Sequence, residues 1–146
     1  MERLRKIPGV VVTGHVPDVR PFLKDALVSV APLRMARGTQ NKILESMAMG
    51  IPVVATSEAA KGVEVVSEGH ILVGDDPASF AKQVISILKN EHARAKLCKG
   101  ALKRIAQVHS WPRSMELLDA ILNSAGKRLA DPLQEPLSSE YTFYLR

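Results

Sequence analysis

The chain has 146 residues, 46% of them hydrophobic and 4% aromatic, with a formal net charge of +5 at pH 7. That length fits one domain able to bury roughly 68–70% of its unfolded surface, and no stretch approaches the ~18 apolar residues of a membrane span. A basic balance suits nucleic acid, an anionic membrane surface or an anionic ligand. Here the basic residues are scattered and stacking platforms are few, which argues against nucleic acid and keeps peripheral contact with an anionic membrane as a secondary reading.

Cys98 is the sole cysteine, so there is no internal disulfide and no Cys pair for a metal, and a cytoplasmic setting is expected. The basic start Met1-Glu2-Arg3-Leu4-Arg5-Lys6 is not followed by the apolar run of a signal peptide. Gly9-Val10-Val11-Val12-Thr13-Gly14 has the pattern of a buried strand ended by glycine. Asp18 is suited to cap a short helix over Val19 to Ala26. Leu27-Val28-Ser29-Val30-Ala31 reads as a second buried strand, stopped by Pro32. Nearly all-apolar strands separated by a helix imply a parallel sheet covered on both faces, an α/β fold.

The stretch from Gly38 to Thr56 carries the most information. A small polar loop, Gly38-Thr39-Gln40, leads into a short helix with Ile43, Leu44, Met47 and Ala48 on one stripe. Gly50 stops that helix, and Pro52 enters the short β-branched strand Val53-Val54-Ala55. A helix that starts after a glycine loop offers free N–H groups and a positive dipole end to an anion. Glu45 lies about one turn further in, where a carboxylate reaches hydroxyls hanging from that anion; paired with Lys42 or simply solvated, it would be a plain surface residue. In open parallel sheets ligands sit outside the carboxyl ends of strands, which places His15, Arg34, Arg37 and the Gly38 loop on the binding edge.

Further on, Thr56-Ser57-Glu58-Ala59-Ala60-Lys61-Gly62 reads as a polar loop on the same edge, and Ile71 to Asp75 as a fourth strand. Asp76-Pro77 opens a helix to Asn90, with Phe80, Val84, Ile87 and Leu88 along its inner stripe. A second helix, Glu91 to Gln107, offers Ala95, Leu97, Leu102 and Ile105 inward, with Cys98 as a packing residue. Ser110-Trp111-Pro112 begins a last helix lined by Met115, Leu118, Ile121 and Leu122. The pattern dissolves at Gly126, so residues 1–125 are read as the domain and 126–146 as a flexible tail.

Glu45-Ser46-Met47-Ala48-Met49-Gly50-Ile51-Pro52-Val53-Val54-Ala55 resembles the nucleotide-binding signature of retaining GT-B glycosyltransferases of the GT4 family, glycosyltransferase group 1. The form Arg37-Gly38-Thr39-Gln40-Asn41-Lys42-Ile43-Leu44-Glu45 further resembles a bacterial subset linked to exopolysaccharide and PEP-CTERM/exosortase systems. The resemblance covers roughly Val10 to Leu122 and implies the C-terminal part of a GT-B fold, a Rossmann-like parallel sheet with helices on both faces. It implies that Glu45 holds the donor's ribose hydroxyls and that Gly38, Thr39 and Gln40 lie near the donor's diphosphate and sugar; Arg37 and His15, placed on the same edge by topology, and Asn41 and Lys42 of the helix start complete the expected donor-binding set. Where the family signature has a second Glu, this chain has Arg37.

The donor expected is a UDP- or GDP-linked sugar, with no other cofactor and no metal. The acceptor-binding N-terminal GT-B domain is the expected partner, and the 146-residue chain alone is expected to be incomplete and inactive. A cytoplasmic enzyme, peripheral at the inner face of the plasma membrane, is the setting this implies. The competing class is a non-catalytic α/β module that binds a nucleotide or a protein partner.

Overall fold

In a computed structural model, residues 2–130 are described apart from 64, 66 and 68, with side chains given to residue 126. The chain divides into two units, residues 1–106 and 107–146. In the first, three parallel strands form one sheet in the order β1 (Ser29–Ala31), β2 (Val53–Ala55), β3 (Leu72–Val73). The register pairs Ala31 with Ala55 and Ala55 with Val73, so the carboxyl ends of all three strands come level on one edge. The flanking helices are α1 (Glu2–Arg5), α2 (Arg20–Leu23), α3 (Asn41–Ala48), α4 (Ser57–Ala60), α5 (Pro77–Lys89) and α6 (Glu91–Val108).

Successive strand side chains point to opposite faces, and Val53, Val54 and Ala55 are all fully buried, so β2 is covered on both sides. On one face Val53 and Ala55 join Ile43 and Met47 of α3, together with Ala31, Ala59, Val63, Ile71 and Ala101. The amphipathic spacing of α3 thus does what its sequence predicts for Ile43 and Met47, both at 0% exposure. Ala48, assigned to the same stripe, is exposed, and its place inside is taken by Ser46. Ser46 Oγ donates to the Lys42 carbonyl at 2.8 Å and shares a hydrogen bond with Ser29 Oγ at 2.9 Å, which satisfies the hydroxyl and pins α3 to β1. Gly50, at φ 71°, ends the helix in the left-handed conformation its type favours.

Four expectations are corrected. The Gly9–Gly14 run forms no strand: Val11 is 84% exposed, because among the described residues no strand offers that segment a ladder. The helix expected over Val19 to Ala26 closes after one turn, as α2 buries no side chain that would drive its propagation. The second strand is three residues long rather than five, and Val30 and Leu27 are about half exposed. On α6 the inward positions are Leu97 and Ala101, whereas Ala95 and Leu102 are exposed. The helix α5 matches its expected span to one residue, and Asp76 with Ser79 forms the reciprocal capping box that fixes its start.

In the second unit, α7 (Trp111–Ala130) exposes Trp111, Met115, Leu118, Ile121 and Leu122, which lie along one side by helical spacing. The helix runs past Gly126, where the sequence pattern fades; residues 131–146, the rest of the expected tail, lie outside the described residues. Among the described residues no helix is long and apolar enough to cross a membrane.

The packing makes a differential stability prediction. Met47→Ala leaves a cavity in the cluster beneath β2 and is expected to cost about 2–5 kcal/mol in chemical denaturation. Leu102→Ala, at a half-exposed position, is expected to cost within about 0.5 kcal/mol. Equal losses would contradict this assignment of the core.

Candidate functional site

The carboxyl edge of the sheet is built by the loops after β1, β2 and β3. After β1, the chain turns through Gly38, held at φ 65°. The Gln40 side chain does not cap α3; its amide donates to the Arg37 and Gly38 carbonyls, both at 3.1 Å. The loop is therefore tied to itself, and the first N–H groups of α3 have no side-chain cap. Gly62 seats this loop from below: a Cβ there would lie 2.0 Å from the Gly38 carbonyl oxygen, so only glycine permits the approach.

The loop after β2 proves structural. Thr56 Oγ1 donates to the Leu33 carbonyl at 2.6 Å and accepts from the Ala59 amide at 3.2 Å, joining the ends of β1 and β2 and capping α4. The Ser57 amide and hydroxyl both donate to Asp75 Oδ1 at 2.8 Å, joining the ends of β2 and β3. Those two bonds, the amide's first, hold the Asp75 carboxyl below the usual carboxylate range. Thr56 and Ser57, read from sequence as lying near a ligand, are thus already occupied within the protein.

A pocket of about 450 Å³ opens along the outer side of α3, toward its C-terminal end, lined by Pro17, Asp18, Val19, Arg20, Glu45, Ala48 and Met49. Its size lies within the range of small-molecule sites, about 300–1,000 Å³. Glu45 is exposed on its wall, roughly 6 Å along the helix axis from Asn41. Glu45 is not paired with Lys42; among the described residues its carboxylate has no hydrogen-bond or ion-pair partner and is open to solvent. Opposite the chain's α3 wall, Asp18 accepts from the Arg20 amide at 2.9 Å and from Arg20 Nε at 3.0 and 3.1 Å. The bond from the Arg20 side chain, followed by that from its amide, lowers the Asp18 pKa, and Asp18 in turn raises that of Arg20.

Of the eight residues nominated from sequence, the pocket lining includes Glu45 alone. Gly38, Thr39, Gln40, Asn41 and Lys42 form the loop and first turn of the same helix, three to seven residues ahead of Glu45, and all but Gln40 are exposed. Arg37 and His15 are exposed outside the lining, His15 two residues before Pro17. Sequence reasoning missed Pro17, Val19, Arg20, Ala48 and Met49, and read Asp18 only as a helix cap. The available signal was the opposite-charge pair Asp18–Arg20 two residues apart, directly after a Gly-His-Val-Pro turn on the ligand edge. Among the described residues no group of three or more His, Cys, Asp or Glu side chains could hold a metal ion. Cys98 is half-buried, and burial pushes its thiol up, away from nucleophilic use.

Residues 1–90, which contain the sheet, the Gly38 loop and the whole pocket, match a family model described as glycosyl transferases group 1. No curated protein matches the chain.

The edge predicts an acid response. Asp75 and Asp76 both have folded pKa values below their unfolded values, so the stability they contribute is full above about pH 4 and is lost as pH falls through the folded values. Thermal melts from pH 6 to pH 2.5 are expected to show a falling Tm at the acid end, and Asp75→Asn is expected to flatten that fall. An acid dependence unchanged by Asp75→Asn would contradict the role given to the Ser57–Asp75 tie.

Proposed function

The chain belongs to the glycosyl transferases group 1 family, and from that premise we propose that it forms the donor-nucleotide half of a GT-B glycosyltransferase. The reaction proposed moves a sugar, with retention, from a UDP- or GDP-linked donor to a glycan or lipid-linked acceptor in exopolysaccharide assembly. The observation that carries this reading is the Glu45 carboxylate: exposed, unpartnered among the described residues, and set in the wall of a pocket one turn from an uncapped helix start.

A nucleoside diphosphate uses both features. Its ribose hydroxyls donate to Glu45, and its diphosphate lies against the backbone N–H groups from Gly38 to Lys42, where the helix dipole favours negative charge. Arg37, Lys42 and His15 add cationic or proton-donating groups close in sequence to that place. Charge that builds on the departing diphosphate is stabilised by donors already in position, which lowers the barrier without reorganisation.

Transfer also needs an acceptor oxygen held against the sugar's anomeric carbon. We assign that task to a second GT-B domain, and the exposed apolar side of α7 supports the existence of a partner for that helix. On this reading the 146-residue chain binds donor but does not turn it over. The net charge of +5 keeps a peripheral anionic membrane as a second partner.

Glu45→Gln removes a charged acceptor of hydroxyl bonds and is expected to weaken nucleoside diphosphate binding by about 1.5–3 kcal/mol in titration calorimetry. Unchanged binding would remove Glu45 from the site. The purified chain, given UDP- or GDP-hexose and a lipid-linked acceptor, is expected to form no product; sugar transfer would show that it carries the acceptor chemistry itself.

A further inference from the structure

The positive charge of the chain is concentrated in two consecutive helices. α5 and α6 carry seven Lys and Arg against the single acid Glu91, whereas the other residues carry thirteen against fourteen Asp and Glu. Five of the seven, Lys82, Lys89, Lys96, Lys99 and Lys103, are exposed, and among the described residues none of the five makes a hydrogen bond or an ion pair. The two arginines, Arg94 and Arg104, are half-buried, and Arg94 is spent on the Ile87 carbonyl, to which it donates at 3.2 Å.

α6 turns Leu97 and Ala101 inward, so its opposite side faces solvent. Lys96, Lys99 and Lys103 follow one another at i, i+3 and i+7 and form a ridge about 10 Å long on that side. Lysines one turn apart repel, and a solvated helix face is steadied by charges of alternating sign. Here no carboxylate of the helix lies within a turn of any of the three. Ala95, Leu102 and Ala106 form a second exposed ridge beside the first. On α5, the exposed Lys82 and Lys89 flank the half-exposed Ile85 and Leu88.

We infer that the lysine face of α6 docks on an anionic lipid bilayer. The inference rests on the reading of an anionic membrane as a second partner, to which it gives a place, and not on the donor site. Protein and nucleic-acid partners are read through arginine forks and aromatic stacking, and protein interfaces are depleted in lysine. The exposed bases of α5 and α6 are all lysine, and neither helix exposes an arginine, phenylalanine, tyrosine or tryptophan. A lipid surface asks only for diffuse charge. Ammonium groups are drawn to many headgroups at once, and their alkyl stems lie over apolar neighbours such as Leu102 while the charge stays in the aqueous layer. The inner side of α6 is held in the protein, so the helix lies on the surface and does not insert.

The test is co-sedimentation of the whole chain with vesicles of phosphatidylcholine alone and of phosphatidylcholine mixed equally with phosphatidylglycerol, at about 0.1 M salt, where screening acts over about 10 Å. Binding to the anionic vesicles and not to the neutral ones is expected, weakening as salt is raised. A folded triple variant, Lys96→Gln with Lys99→Gln and Lys103→Gln, is expected to bind the anionic vesicles on the order of a hundredfold more weakly, about fivefold per lysine. A second triple variant, Arg3→Gln with Arg5→Gln and Lys6→Gln, loses the same charge from another exposed basic cluster and is expected to stay within about threefold of the unaltered chain. Equal losses in the two variants, or no binding to the anionic vesicles, overturn the inference. Duplex DNA at equal phosphate concentration is expected to leave the chain on the vesicles; DNA that strips it off through the same three lysines assigns the face to nucleic acid and overturns the inference as well. Nucleoside diphosphate titration of the same samples reads the donor site separately. It is expected to be unaffected by the lysine variant, and its failure leaves the vesicle result standing.

Discussion

The fold turns on the contact between α3 and β2. Ile43 and Met47 on the helix and Val53 and Ala55 on the strand lose all solvent exposure together, and Val54 does so on the opposite face. A strand buried on both faces has to find neighbours on both edges for its backbone groups, and β1 and β3 supply them in parallel. Parallel pairing brings three carboxyl ends level, and the loops that leave them then crowd one edge. The Ser46 hydroxyl, wedged between the Lys42 carbonyl and Ser29, fixes the helix in its position over the sheet. Because the inward face of α3 is so fully committed, Glu45 has only the outer face to occupy, and that face is the pocket wall.

The polar groups of this edge divide into two sets by what they bond. Thr56, Ser57 and Asp75 satisfy one another or nearby backbone, and so hold the three strand ends in register. Gln40 is spent on the Gly38 loop. Glu45 and the outer nitrogens of Arg20 are not used in this way by the described protein. The structural hydroxyls are thus satisfied within the protein, while the Glu45 carboxylate lines a pocket and has no protein partner among the described residues.

Much of this was legible in sequence where local chemistry and tertiary packing agree. Gly50 and Pro52 bracket the α3–β2 join, and Asp76-Pro77 marks the start of α5, because caps and glycine stops act through bonds only a few residues long. Glu45 stood out as a carboxylate beside an apolar stripe. What escaped the sequence depends on contacts with distant residues. Val10 to Val12 have the composition of a buried strand, but a strand is defined by its ladder partner, and none of the described strands pairs with it. On α6 Ala101 is buried and Leu102 half exposed, and the helix comes so close to the chain at Gly100 that a Cβ there would lie 2.1 Å from the Gly69 carbonyl oxygen, a contact with a distant residue that periodicity does not reveal. Asp18 was legible as a carboxylate for the free N–H groups of the following helix, and it does accept from the Arg20 amide; that it also pairs with the Arg20 side chain, and lines a pocket with Glu45, required the fold.

The central claim is that a nucleoside diphosphate occupies the space between the Asp18–Arg20 turn and α3. Backbone amide NMR of the chain, titrated with GDP, tests it most directly. Saturable shifts confined to residues 15–20, to the Gly38–Lys42 amides and to Glu45 are the result expected. Shifts that saturate elsewhere, with these amides unmoved, would contradict it.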